Sequence, residues 1–492
     1  MSERSYDRLY IGGEWVQPHS ARAIASIDPA TETVWAEVAE ADDTDIDRAV
    51  AAAKTAMAGP WRNKVTATQR GLLLYKLAEL IKRDTVKLAE LETRDNGKPL
   101  RDTISEVQRA IDWLTYFAGA ADKIQGEQIP FKPDALAYTR REPVGVVGAI
   151  LPWNSPILLY AWKIGPALAA GNAMVLKPAE QTPVTALEIA KLVQEAGFPA
   201  GVFNVVPGYG GTAGAALAKH TGVNKMSFTG SYATAQKIMA LASVNLKRCT
   251  FECGGKSPHI IFADADLDRA LTVAVHSAFR STGQSCSLGS RLFLQRSIYN
   301  EFIEKVAARS RRIRIGAPLD KKTHIGPQTS AEQLAKTESY IALGRQEGAR
   351  LIAGGGRPKG LDRGYYIEPT IFADVDNRSR LAQEEIFGPV LAAIPFDTEE
   401  EVLRLANDVN YGLVAGLWTS DVSRAHRVAG QLEAGLVTVN TFRSTHWMLP
   451  YGGYKLSGIG RENGLEALHA FTELKTIVID FEANAAPDPF GD

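Results

Sequence analysis

The chain has 492 residues, 45% hydrophobic and 23% charged, with 55 basic and 56 acidic side chains and a formal net charge of −1. That balance gives no electrostatic reason to expect a nucleic-acid or membrane-surface partner. Three cysteines cannot build a disulfide framework, no apolar run reaches the roughly 18 residues of a membrane helix, and the opening "MSERSYDRLYIGGEW" lacks the basic-then-apolar order of a secretion signal. The expectation is a cytoplasmic protein of roughly three domains.

In chain order, residues 44–58 read as an amphipathic helix. Ile46, Ala49, Val50, Ala53 and Met57 share one face at helical spacing, and Gly59-Pro60 ends it. Similar helices follow to about residue 120. The excursion at 121–143 breaks them with Gly, Pro and alternating character, as a hairpin does. Strands and helices then alternate over 144–254. "VGVVGAIL" is an apolar strand, and Ser155-Pro156 suits the start of a helix that ends at Gly171. "AMVLK" follows, then a helix from Thr182-Pro183 to Gly197, then "VFNVV", "TAGAALAKH", "NKMSF" and "YATAQKIMALAS". This βαβ order predicts an α/β fold with a parallel sheet covered on both faces and ligands at the carboxyl ends of its strands. A second α/β region spans about 255–456. The tail "TELKTIVIDF" alternates like an edge strand, and both it and the 121–143 excursion need a partner. They can pair with each other, within one chain or between two.

"GYGGTA" at 208–213 fits G-x-G-x-x-A between a strand and a helix. The dinucleotide fingerprint also requires an acid about 20 residues on. Phe228 stands there instead, followed by Thr229 and Gly230, so a plain tight turn remains an equal reading. Glu180, beside Lys177 in "LKPAE", is an alternative carboxylate for a ribose, although a solvated loop explains the pair as well.

Three polar residues together carry a chemistry. Asn154 follows the first strand in "LPWNSP", Glu252 lies in "FECGGKSP", and Cys286 lies in "TGQSCSLGS". Singly they read as a turn former, a surface acid and a buried small hydrophobe. Jointly they supply a thiolate to attack a carbonyl, an amide to hold the oxyanion, and a carboxylate to activate water.

With these residues in place the sequence resembles the aldehyde dehydrogenase superfamily from about residue 8 to 481. Seven motifs occur in family order: P-W-N at 152–154, K-P-A-E at 177–180, F-T-G-S at 228–231, "ECGGKSP" at 252–258, G-Q-S-C at 283–286, "EEIFGPV" at 384–390 and "PYGGYKLSGIGRE" at 450–462. The resemblance implies a Rossmann-like cofactor domain at 1–120 and 144–254 and a catalytic domain at 255–456. It also implies a small β oligomerisation hairpin from 121–143 and 470–492, hence a homodimer or homotetramer. It implies Cys286 as nucleophile, Glu252 as general base, and Asn154 with the Cys286 N–H as oxyanion hole. Lys177 and Glu180 would hold the adenosine ribose. Trp153, Gly210, Gly214, Phe228, Gly230 and Ser231 would line the cofactor path, and Glu385 and Phe387 would place the nicotinamide ribose. A carboxylate at Glu180 repels a 2′-phosphate, which favours NAD over NADP. No metal ligand set is assigned.

Departures from the family pattern are Cys253, where Leu is usual, Ala235 in place of a glycine, and Ser285 before the nucleophile. Cys253 reads as a packed hydrophobe, with a second oxidisable thiol as the other reading. On the substrate side, Arg280 stands six residues before Cys286, and Arg109 and Arg443 map to the tunnel mouth. Arginine suits bidentate carboxylate binding, although Arg109 and Arg443 also read as surface or inter-subunit ion pairs. Trp162, Tyr451, Trp447 and His446 would add an aromatic wall. The expected substrate is a small aldehyde, either a carboxylate-bearing semialdehyde or an aromatic aldehyde. A CoA-acylating enzyme and a catalytically silent structural member are the alternatives. Glu252 argues against the first, and the intact Cys286, Glu252 and Asn154 against the second.

Overall fold

The computed structural model describes residues 4–442, 445–481 and 489–491. The helix expected at 44–58 runs Asp43–Ala58, with a capping box between Asp42 and Asp45 and all five apolar positions buried. Gly59 ends it, and Pro60 opens a further short helix, Pro60–Asn63. Helices Ala67–Arg83, Thr85–Asn96 and Leu100–Ala120 follow and pack against Pro156–Ala169 and Val184–Ala196. Every residue of Pro156–Ala169 is buried, as a helix that is apolar all round requires.

The α/β expectation holds. Arg248–Glu252, Lys225–Thr229, Val146–Ile150, Ala173–Lys177 and Phe203–Val205 lie side by side in that order, all parallel. The chain enters at Val146–Ile150, builds two strands to one side, then crosses to build two on the other. That reversal opens a crevice at the carboxyl ends of Val146–Ile150, Lys225–Thr229 and Arg248–Glu252. Asn154, Ser231 and Glu252 are therefore brought to one rim by topology. Antiparallel strands extend both edges of this eight-stranded sheet: Leu9–Ile11 and Glu14–Val16 on one side, Gly458–Ile459 on the other. The last of these pairs directly with Phe251 and Glu252, so the chain returns to the first sheet just after residue 456.

A seven-stranded sheet holds the second region. Thr370–Ala373, Val390–Phe396, Arg291–Gln295, Pro258–Ile261, Val414–Trp418 and Leu436–Val439 pair in parallel, and Arg350–Ala353 adds an antiparallel edge. The expected excursion contains the hairpin Gln128–Ile129 and Ala135–Pro143. The tail strand Thr472–Asp480 pairs antiparallel with Ala135–Pro143 along its whole length, within the same chain. Leu474, Val478, Ile479 and Phe481 remain exposed on it.

The segment that presents Cys286 has unusual backbone. Ser281, Thr282 and Gly283 all take left-handed φ, at 54°, 55° and 70°. For the two residues that carry a Cβ this costs about 1–3 kcal/mol each. Neighbours hold the turn: Thr282 Oγ1 donates to Gly326 O, Gln328 Nε2 donates to Thr282 O, and the Thr329 N–H donates to Gln284 Oε1. A Cβ on Gly283 would lie 2.2 Å from the Gly388 carbonyl. Gly283→Ala should therefore destabilise the protein by about 2–4 kcal/mol in urea unfolding, from strain plus overpacking. A loss below about 0.5 kcal/mol would contradict the contact.

Candidate active site

Cys286, Glu252 and Asn154 all line one cavity of about 170 Å³. Asn154 sits in the turn between Val146–Ile150 and helix Pro156–Ala169, and its Nδ2 donates to Gln284 O at 3.2 Å. The oxyanion candidate thus touches the segment that carries the nucleophile. Cys286 Sγ lies 3.7 Å from Tyr451 Oη. Ser155 occupies the helix N-cap position, as expected, but its hydroxyl does not cap. It accepts from Lys98 Nζ at 2.8 Å and donates to Glu106 at 3.1 Å.

Glu252 ends its strand with both carboxylate oxygens buried and without a hydrogen-bond partner among the described residues. Burial, and then the negative charge of Glu462, push its pKa well above the usual carboxyl value. Glu462 is paired with the fully buried Lys163. A Cβ on Gly452 would lie 2.9 Å from Glu252 Oε1, so the glycine of "PYGG" leaves room for the carboxylate. Cys253 is buried in the apolar core and also lines the cavity; burial and the neighbouring carboxylates push its thiol up to about 12. It is protonated at neutral pH, which agrees with the packing reading.

The cavity wall also includes Trp153, Thr229, Gly230, Ser231, Gln333, Glu385 and Phe387. Trp153 and Phe387 meet edge to face at 5.1 Å. Glu385 accepts from the Gly255 N–H and is raised to about 7 by burial. Gln333 Nε2, which the sequence reading missed, donates to the Ile386 and Phe387 carbonyls and so holds that loop. Ser231 N-caps helix Tyr232–Ala242. Phe228 needs correction: its ring packs into the core against Phe251, and the cavity-facing residue of that strand end is Thr229, since successive side chains alternate. Lys177 is buried, and its ammonium donates to Pro178 O, Gly208 O and Glu180. Its three donors are committed to shaping the loop, which leaves the half-buried Glu180 as the more accessible member of the pair. Gly210 opens a π-helical turn within reach of Glu180, and Gly214 packs on the Lys177 stem. These features fit a dinucleotide: a carboxylate for a ribose, a glycine approach, a helix N-terminus and a second carboxylate.

The rings expected to form an aromatic wall cluster with one another, and Trp113 joins them. Tyr451 meets Trp162 at 5.2 Å, Trp162 stacks on Trp113 at 5.7 Å, and Trp113 meets Trp447, on which His446 lies. Arg109 lies over the Trp113 ring and donates to Thr445. Arg280 Nε is 3.8 Å from Asp102 Oδ1, so its charge already faces a carboxylate. Arg443 lies outside the described residues. Sequence reading also missed Lys98, Asp102, Glu106 and Trp113. Asp102, Glu106, Arg109 and Trp113 recur at helical spacing, and charges on an otherwise buried face were the available signal. Among the described residues no group of three or more His, Cys, Asp or Glu side chains is arranged to hold a metal ion, and no helix is long and apolar enough to cross a membrane.

A family model described as the aldehyde dehydrogenase family matches residues 15–477. The chain is 48% identical to mitochondrial aldehyde dehydrogenase of Sus scrofa, over 96% of this chain and 91% of that one. It is 46% identical to the putative aldehyde dehydrogenase DhaS of Bacillus subtilis (strain 168), over 96% of each. Among solved structures, the NAD+ complex of the Bacillus cereus aldehyde dehydrogenase superposes with a TM-score of 0.95 at 44% identity, covering 97% of both chains. A putative aldehyde dehydrogenase from Burkholderia cenocepacia gives 0.96 at 44% identity, covering 98% of both.

The raised pKa of Glu252 has a sign that can be measured. Unfolded, it titrates near 4.5; folded, well above. Between those values the folded chain holds a proton the unfolded chain has lost, so stability falls as pH rises, by up to about 1.4 kcal/mol per pH unit. Glu252→Gln removes that titration. The variant's stability relative to the native chain should improve steadily from about pH 5 upward, read from urea unfolding. Parallel pH profiles for the two proteins would contradict the burial.

Proposed function

The chain belongs to the aldehyde dehydrogenase family and is an enzyme that oxidises aldehydes; we propose that it uses NAD and works through a Cys286 thiohemiacetal and thioester, hydrolysed with Glu252 as general base. The observation that carries this reading is the convergence of Cys286, Glu252 and Asn154 on one cavity whose wall also includes Ser231 and Glu385. The Cys286 thiolate attacks the carbonyl carbon. Asn154 Nδ2 has two N–H groups: one holds Gln284 O, and the other, with the Cys286 N–H, is assigned to the oxygen as it gains charge. The nicotinamide, when bound, takes up the two electrons and the hydrogen lost from the aldehyde carbon. Glu252 then takes a proton from the water that opens the thioester, which releases the acid and restores Cys286. A carboxyl whose pKa lies well above the usual value is suited to that exchange near neutral pH.

For the cofactor, Glu180 would accept from the adenosine ribose with Lys177 behind it, Gly210, Gly214 and Gly230 would allow close approach, and Ser231 would offer a helix N-terminus to the pyrophosphate. Trp153, Phe387 and Glu385 would hold the nicotinamide ribose. The half-buried Glu180 carboxylate disfavours a 2′-phosphate, hence NAD over NADP; the NAD+ complex of the Bacillus cereus relative supports NAD as a cofactor. The division into cofactor domain, catalytic domain and arm follows the two large sheets and the Thr472–Asp480 pairing. The exposed apolar row of the arm supports assembly into a dimer or tetramer.

For the substrate, the aromatic wall and the cations Arg109 and Arg280 favour a carboxylate-bearing semialdehyde or an aromatic aldehyde. Both arginines are clamp candidates: Arg280 stands against Asp102 and Arg109 over the Trp113 ring.

NADH production should fall at least about 10³-fold in Cys286→Ala and about 10²-fold in Asn154→Ala. Activity surviving the first change would refute the covalent path, and a dependence on CoA would point to an acylating enzyme instead. The ratio of kcat/KM for a carboxylated aldehyde to that of its neutral analogue should drop about 10-fold or more in Arg280→Ala or in Arg109→Ala. Unchanged ratios in both would exclude the carboxylate clamp.

A further inference from the structure

Lys98 and Glu106 form a salt bridge in which both charges are buried, with Nζ to Oε1 at 2.6 Å. Removing two charges from water costs several kcal/mol each, and apolar residues of the same volume stabilise such a position as well or better. Stability alone does not explain the pair. Its hydrogen bonds to Ser155 are informative. Lys98 Nζ donates to Ser155 Oγ, and Ser155 Oγ donates to Glu106, which closes a three-membered network with no slack. Ser155 directly follows Asn154. On the same side, the Glu92 carboxyl group accepts from the Ile157 N–H, taking the capping role that Ser155 leaves vacant. The turn 154–157 is thus anchored from outside by the Lys98–Glu106 ion pair and the buried Glu92 carboxyl, and from inside by Asn154 Nδ2 on Gln284 O.

We infer that the buried Lys98–Glu106 pair, acting through Ser155, is the positioning element that sets the direction of the Asn154 amide. A fully bonded buried network has one geometry, and an amide aimed at a developing oxyanion needs one. The inference rests on the oxyanion role proposed for Asn154.

The test compares full-length native enzyme with Ser155→Ala, Ser155→Thr, the double variant Lys98→Met/Glu106→Leu, the triple variant that adds Ser155→Ala, and Asn154→Ala. Each is assayed for kcat, KM and thermal midpoint with one aldehyde at saturating NAD. Ser155→Ala should lower kcat about 10-fold with KM within about twofold, because misplacement of a reacting group is felt mainly in the chemical step. Ser155→Thr, which keeps the hydroxyl, should restore at least half of native kcat. The double variant should lose about as much as Ser155→Ala, and the triple variant no more than the double, since the two changes cut the same link. Additive losses, losses that track the thermal midpoint, or native kcat in Ser155→Ala would overturn the inference. Native kcat in Asn154→Ala would instead overturn the oxyanion reading beneath it.

Discussion

A carboxyl group buried in the cavity that Cys286 also lines is the constraint around which this molecule is arranged. Glu252 has both oxygens buried and unsatisfied among the described residues, a situation that ordinarily costs several kcal/mol and that proteins avoid. Here the surroundings move the group toward its neutral form. Burial disfavours the charge, and Glu462 behind it adds a like charge, itself anchored by the buried Lys163. The strand Gly458–Ile459 pairs beside Glu252 and brings Glu462 with it, so a short edge strand from the far end of the chain sets the electrostatics of the site.

The same logic of holding reactive groups by strain and buried charge extends to the other two members. Cys286 hangs from three consecutive left-handed residues, tied down by Gln328, Thr329 and the close approach of Gly283 to Gly388. Asn154 hangs from a turn gripped by Lys98, Glu106 and Glu92. Neither arrangement is the cheapest way to build a loop. Both confine a side chain to a narrow range of directions, which catalysis by preorganised groups demands.

Rings and charges share one helix face: Asp102, Glu106, Arg109 and Trp113 follow each other along Leu100–Ala120, so the face passes from charged to aromatic in three helical turns. Arg109 lies over the Trp113 indole and Arg280 faces Asp102, and both act on the buried Glu106 carboxylate.

Much of the fold was legible from the residues. The helix at 44–58, the strands at 173–177 and 225–229 and the helix at 232–242 fall within a residue or two of their expected places, because apolar periodicity and Gly/Pro punctuation are local properties. Motif order carried the family, and with it the fold class. What the sequence by itself determined was which residue types are available: a thiol, an acid, an amide and a second carboxylate beside a lysine on an α/β frame. Only the tertiary structure decided what each faces. It turned Phe228 into the core and Thr229 toward the cavity, spent the Lys177 ammonium on its own loop, set Asp102 against Arg280, and placed Lys98 and Glu106 beneath Ser155. Those pairings join residues tens to hundreds of positions apart, and no local pattern encodes them. They arise when packing removes water and each buried charge must find a partner.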